Sequence, residues 1–279
     1  MKKKNSYAVI TGASSGIGAE FAKRLAAEGY DLILIARRED RLKKISEKLK
    51  KLGTECMIIE ADLSKISNCR KLIDYISKRN IGIFINNAGF GDCGAFLESD
   101  TEKELNMIDL NIKALHYLTK GAAKIMDRQG YGYILNVASS AGLIPAGPYM
   151  ATYYATKAYV TSLSRAVAEE FKQKNSRVYI GCLCPGPVDT EFNDVANVKF
   201  ALKGISPSYC ANYAIDMMKK RRIVIVPTLK MKLAVTIGRF ISQPLYIKIV
   251  SHQQKRKLGV DKSTSLRYSV KQIKEQQNI

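Results

Sequence analysis

The chain has 279 residues, 46% of them hydrophobic, and carries 45 Lys and Arg against 25 Asp and Glu, a formal net charge of +20. Such a length and apolar share fit one globular α/β domain with a C-terminal appendage. The charge is uneven: residues 219–279 hold 15 basic and 2 acidic residues (15 − 2 = +13), whereas residues 1–218 hold 30 and 23 (30 − 23 = +7). Cys56, Cys69, Cys93, Cys182, Cys184 and Cys210, with the solitary His116 and His252, lack metal-ligand spacing, which argues against a zinc site. Residues 1–5 form a short basic leader without the pattern of a secretory signal, so a cytoplasmic protein with free thiols is expected.

Taken in chain order, short β-branched runs alternate with longer amphipathic segments. The runs are Tyr7–Thr11, Leu32–Ala36, Met57–Glu60, Ile81–Asn86, Tyr133–Ala138, Val178–Leu183 and Ile223–Val226. Segments such as Gly16–Glu28 and Arg41–Lys51 have helical spacing and end near Gly29 and Gly53, where glycine relieves a left-handed position. This predicts a doubly wound parallel sheet of about seven strands, a Rossmann fold, with ligand at the carboxyl ends of the strands. Residues 1–228 are read as the nucleotide-binding catalytic domain and residues 229–279 as a basic, amphipathic helical extension.

The first strand runs into Thr11-Gly12-Ala13-Ser14-Ser15-Gly16-Ile17-Gly18 and then a helix. Glycines there let a pyrophosphate approach the backbone, and the helix N-terminus offers free N–H groups. The second strand ends Ile35-Ala36-Arg37-Arg38, with no acidic residue to accept from a ribose 2'-hydroxyl. Two guanidinium groups at that point suit the 2'-phosphate of NADP(H). Further on, Tyr153 and Lys157 lie four apart on a helix expected to start near Tyr149. An ammonium close to a phenol is expected to lower the phenol pKa toward neutrality.

Together, TGASSGIG at 11–18, Asp62-Leu63, NNAG at 86–89, Asn111, NVASSAG at 136–142, YYATK at 153–157 and PGPVDT at 185–190 make the chain resemble the classical short-chain dehydrogenase/reductase family over residues 6–228. The resemblance implies an oxidoreductase that moves hydride between a nicotinamide cofactor and a carbonyl or alcohol. It implies that Ser139 stabilises the substrate oxygen, that Tyr153 is the acid/base, that Lys157 holds the nicotinamide ribose and depresses the Tyr153 pKa, and that Asn111 anchors a water leading to Lys157. Counting back from the tyrosine selects Ser140 instead of Ser139, and Ser139 is preferred. Beside the Gly12, Ser14, Ser15, Gly16, Ile17 and Gly18 loop and Arg37 and Arg38, cofactor contacts are implied for Asp62, Leu63, Asn87, Ala88, Gly89, Pro185, Gly186, Val188 and Thr190.

Substrate selectivity is expected in Gly142–Met150 and Glu191–Ser206. Leu143, Ile144, Tyr149, Met150, Phe192, Val195, Val198 and Phe200 make these loops apolar, suiting a hydroxysteroid, a 3-oxoacyl thioester or another apolar carbonyl, or serving only to pack the loops on the body. From Leu229 to Val250 apolar residues recur among Lys230, Lys232, Arg239 and Lys248, followed by Lys255-Arg256-Lys257. Such a segment can rest on an anionic membrane surface or pack on the core, and it has no uninterrupted apolar run long enough to span a bilayer. Nucleic-acid binding lacks a motif. A nucleotide-binding regulatory or membrane-surface scaffold protein without turnover is the alternative, and the presence of both Tyr153 and Lys157 argues against it. The resemblance also suggests a homodimer or homotetramer built on the helix around Ser164–Phe171.

Overall fold

A computed structural model describes residues 6–192, Ala196 and residues 204–257. Seven strands form one parallel sheet: β1 (Tyr7–Thr11), β2 (Asp31–Ala36), β3 (Cys56–Glu60), β4 (Ile81–Asn86), β5 (Gly132–Val137), β6 (Val178–Leu183) and the short β7 (Val224–Ile225). Their order is β3-β2-β1-β4-β5-β6-β7, so the winding reverses between β1 and β4. Loops leaving those two strands part there and leave a crevice at the carboxyl edge.

The strands are apolar throughout because both faces are covered. Along β1, Ala8 and Ile10 join one core layer and Val9 the other; along β2, Leu32, Leu34 and Ala36 alternate with Ile33 and Ile35 in the same way. One layer is closed by α1 (Gly16–Ala27), α2 (Glu39–Lys50) and α7 (Pro207–Lys219). In α1 the buried residues Gly18, Phe21, Ala22 and Leu25 fall at helical spacing. The other layer is closed by α3 (Ile66–Ser77), α5 (Leu115–Gln129) and α6 (Ala151–Gln173). Between α4 (Thr101–Ile108) and α5 the chain winds as a π-helix over Asp109–Ala114.

A buried polar chain ties α5 and α6 to the sheet centre. Asn86 Nδ2 donates to Thr119 Oγ1 (3.2 Å) and to the Leu115 carbonyl (3.0 Å), and Thr119 Oγ1 donates to Asn136 Oδ1 (2.9 Å). Asn136 Nδ2 then donates to Ser164 Oγ (3.0 Å), which donates to the Val160 carbonyl (2.7 Å). Every link is made, so burial is compensated and α6 sits at one height on the sheet.

Two boundaries differ from the sequence reading. The helix carrying Tyr153 starts at Ala151, because Tyr149 takes a left-handed φ of 66° that no helix continues. The segment read as one run from Leu229 to Val250 is two helices, α8 (Leu229–Gly238) and α9 (Gln243–Lys257), with Pro244 in the first turn of α9, where its missing N–H costs nothing. Among the described residues no helix is long and apolar enough to cross a membrane.

Asn136→Ala is expected to lower stability by about 1–3 kcal/mol, since it strips Thr119 and Ser164 of their buried partner. Urea unfolding followed by circular dichroism measures it, and an unchanged midpoint would refute the role of the chain as a pin.

Candidate active site

The crevice at the strand ends opens into a cavity of about 580 Å³, the size range of small-molecule sites. One half is backbone-rich. Gly12 has a φ of +64°, and a Cβ there would stand 2.8 Å from Asn87 Nδ2 and 3.0 Å from Ala88 Cα; a Cβ on Gly18 would stand only 2.2 Å from the Gly12 carbonyl oxygen. The turn therefore closes only with bare backbone. Thr11, which sequence reasoning left without a role, holds it against β4: Thr11 Oγ1 accepts from the N–H groups of Asn87 and Ala88 (2.9 Å each), and Asn87 Nδ2 donates to the Thr11 and Gly12 carbonyls (2.9 and 3.2 Å). Ser15 precedes α1 without capping it by its side chain, so the helix turns its first N–H groups and dipole toward the cavity.

At the end of β2 the two arginines separate. Arg37 is exposed at the rim. Arg38 reaches inward, donating to Ser14 Oγ (3.2 Å from Nη2) and Ser15 Oγ (2.8 Å), while Nη1 pairs with Glu191 at 2.9 Å. Glu191 also pairs with Arg41, and these neighbours hold its carboxyl below the usual range. Arg38 and Glu191 are 42% and 47% exposed, so the pair is worth little and is exchangeable for another anion. Sequence reading missed Arg41 and Glu191 because their meeting depends on a loop more than a hundred residues away. Asp62 and Leu63 line the cavity, and Asp62 Oδ1 also accepts from the N–H (3.1 Å) and Oγ (2.8 Å) of Ser64. Gly16, Ile17, Ala88, Gly89, Pro185, Gly186, Val188 and Thr190 line the same cavity. These residues line one continuous wall of the cavity, and the bare glycine turn and helix N-terminus suit a dinucleotide.

The other half holds Ser139, Tyr153 and Lys157. Ser139 begins the 3₁₀ turn Ser140–Leu143, its Oγ accepting from Ala141 N–H (3.1 Å) and near enough to the Tyr153 phenol to favour its ionised form. Ser140 instead donates its backbone N–H to the Pro185 carbonyl (2.8 Å). Both serines line the cavity, and Ser139 is the one that acts on the Tyr153 phenol. The turn lies flush on α6 because residue 142 is glycine: a Cβ there would stand 2.2 Å from the Lys157 carbonyl oxygen. Lys157 is 5% exposed, and its Nζ donates to the Val137 carbonyl at the end of β5 (3.0 Å).

One expectation needs correction. Lys157 does not bring the phenol pKa down: burial pushes Tyr153 up to about 12, with only the neighbouring Ser139 pulling the other way. The ammonium lies 5.7 Å from the ring centroid, and burial itself lowers Lys157 to about 8, weakening its positive charge. Asn111, in the π-helix, is committed to protein groups: Nδ2 donates to the Phe90 carbonyl (2.8 Å) and Thr156 Oγ1 (3.1 Å), and Oδ1 accepts from Phe90 N–H (3.1 Å). It thereby clamps the loop after β4 onto α6.

Over Tyr153 the wall is apolar. Phe192 stands 5.6 Å from it, centroid to centroid, and Ile144, Met150 and Tyr149 join the same cluster, with Leu143 packed in a neighbouring one. Val195, Val198 and Phe200 lie outside the described residues. The wall also contains residues the sequence did not point to: Phe90, Tyr154, Met231, Gln253 and Gln254.

A family model described as short chain dehydrogenase matches residues 6–199, and the chain belongs to the short-chain dehydrogenase/reductase family. An uncharacterised oxidoreductase of Staphylococcus saprophyticus is 37% identical over 210 residues, 74% of this chain and 83% of that one. A very-long-chain 3-oxoacyl-CoA reductase of Neurospora crassa is 35% identical over 64% of this chain, which spans only 55% of the fungal protein's length. The mouse 17-beta-hydroxysteroid dehydrogenase type 3 is 30% identical over 71% of this chain and 65% of its own length. Among solved structures, a short-chain dehydrogenase from Sphingobium yanoikuyae in complex with NADPH superposes with a TM-score of 0.77 at 31% identity, covering 86% of this chain and 94% of that one.

Replacing Lys157 by Met tests the buried charge. The unfolded lysine binds its proton up to about pH 10.5 and the folded one only to about 8, so the wild type gains stability as pH rises through that window. K157M is expected to be more stable than the wild type at neutral pH by about 1–3 kcal/mol, with the gap closing toward alkaline pH. Chemical denaturation across pH decides; a constant gap would show that Lys157 is not a desolvated base.

Proposed function

We propose that the protein is an NADP(H)-dependent oxidoreductase that interconverts a secondary alcohol with a ketone or aldehyde, on an apolar substrate of the hydroxysteroid or 3-oxoacyl thioester kind. The observation that carries this reading is the convergence of Ser139, Tyr153 and Lys157 at the inner end of a cleft whose other end is a bare glycine turn. The catalytic unit is residues 1–228, with residues 229–279 as the extension.

When bound, NADP(H) supplies or accepts hydride at the nicotinamide. The chain does the rest. Ser139 and Tyr153 receive the substrate oxygen, and in the reductive direction Tyr153 gives it a proton, the form of the phenol that burial favours. Lys157 secures the ribose beside Tyr153, and Asn111 keeps the loop that carries Gly89 and Phe90 at the right height. Phe192, Ile144 and Met150 exclude water from the reacting carbon. Arg38, with Arg37 at the rim, selects the 2'-phosphate by trading its exposed pairing with Glu191 for the phosphate. Likeness to a 3-oxoacyl-CoA reductase and a hydroxysteroid dehydrogenase supports an apolar substrate.

Binding of NADPH and NADH to the purified protein, followed by nucleotide consumption across acyl thioesters, ketosteroids and simple ketones, tests the reading. Tyr153→Phe should abolish turnover and leave nucleotide binding in place, and Arg38→Ala should weaken NADPH about tenfold or more while sparing NADH. Surviving turnover in the first variant, or equal losses in the second, would overturn the corresponding assignment.

A second reading concerns the extension. From residue 219 to 257 the chain has no Asp or Glu, and α8, α9 and the turn between them expose Leu233, Ile237, Phe240, Leu245 and Ile249, with Lys232, Arg239 and Lys248 in the same segment. We propose that this face rests on an anionic bilayer surface. In flotation with phosphatidylserine vesicles the protein should rise with the lipid, and Phe240→Asp should keep it below; flotation equal with neutral vesicles would argue against the charge contribution.

A further inference from the structure

α9 does more than pack. Tyr246, Val250 and Gln254 recur every fourth residue and form its inner face. Val250 is buried against the cluster that holds Met150, Tyr153 and Tyr154, and Tyr246 packs where a side chain at Gly238 would collide with its ring. Gln254, one turn beyond Val250, is 2% exposed and lines the cleft beside Tyr153 and Tyr154. Its Nε2 donates to Tyr154 Oη at 2.6 Å. Its Oε1 has no partner, the one such buried side-chain atom among the described residues.

An orphaned buried oxygen is costly, and native proteins keep few of them, each in want of a donor from water, an ion or a ligand. The surrounding wall, Ile144, Met150, Phe192 and Met231, is apolar, so an acceptor set in it orients whatever enters. In this conformation the oxygen is turned away from the open part of the cleft. The terminal torsion of glutamine is broad, and a small turn of the amide presents the oxygen to a molecule in the cleft. Because Nε2 is committed to Tyr154, the free end of the side chain accepts and does not donate.

We propose that Gln254 is a specificity-determining residue of the substrate site: its Oε1 receives a hydrogen bond from an N–H or O–H that the substrate carries away from its reacting carbonyl. The inference rests on the oxidoreductase reading above and narrows it to apolar carbonyl compounds with one remote donor, such as the amide of a thioester's acyl-carrying arm or a distal hydroxyl. A site built to bond such a group discriminates against analogues that lack it, because the buried acceptor is then left unpaired.

The test uses the full chain with NADPH and two thioesters of one medium-chain 3-oxo acid: the N-acetylcysteamine ester, which carries an amide N–H, and the S-butyl ester, which carries none. The wild type should prefer the first by about tenfold or more in kcat/KM, and Gln254→Met should bring the ratio to within about twofold by a loss on the amide-bearing ester. Gln254→Leu should do the same, and NADPH affinity, measured separately on each variant, reports whether the nucleotide half is intact. An unchanged ratio, or equal losses on both esters, would show that Gln254 only packs and would overturn the inference. A wild type that turns over neither ester would overturn the inference for thioesters, while nucleotide consumption across the wider carbonyl panel shows separately whether the oxidoreductase reading stands.

Discussion

The arrangement depends on one cation held out of water. Lys157 Nζ has the Val137 carbonyl as its hydrogen-bond partner and is almost wholly buried. Burying an ammonium costs several kcal/mol unless surrounding groups compensate. Here the compensation is partial, and the lysine answers by releasing its proton more readily, at about pH 8. A lysine in that condition is fixed in position, because its one bond ties the middle of α6 to the end of β5. Tyr153, one turn earlier, is then held over Ser139, and the glycine at 142 lets the serine's turn lie directly on the helix.

The buried Asn86-Thr119-Asn136-Ser164 chain acts toward the same end from below. It joins β4, α5, β5 and α6 through side chains that all find partners, so none of these elements can slide without orphaning a polar group. Asn111 does the equivalent above the sheet, where the π-helix presents its amide to both Phe90 and Thr156. Rigid support from two sides fits a reaction whose rate depends on placing a proton donor and a hydride carrier against one carbonyl.

Much of this was legible in the amino-acid order because it is local. The seven strands could be read from apolar runs, since a sheet buried on both faces needs them, and the glycine turn could be read because no other residue closes it. Tyr153 and Lys157 share a helix face at a spacing of four, and the motifs around them made the pair legible. What was not legible depends on distant meetings. Glu191 and Arg41 find Arg38 only through the fold, and which of two adjacent arginines turns inward is decided by Ser14 and Ser15. The direction of the Tyr153 shift was misjudged for a related reason: sequence spacing shows a neighbouring ammonium but not the burial that outweighs it.

The extension shows how far a physical reading reaches when a segment is two-sided. In α8, Val235 and Gly238 are buried while Leu233 and Ile237 are exposed, so the helix is apolar on opposite faces. A helix that only covered a core would carry polar residues outward, and one that only lay on a membrane would leave its inner face without a partner. Both apolar faces have a purpose if the extension stands between the cleft and an apolar phase. Met231 and Gln254 then look into the cleft while Ile237 and Phe240 look away from it. On the bilayer reading proposed above, a hydrophobic substrate would find apolar side chains on both sides of the extension, with Gln254 beside Tyr154 on the inner one.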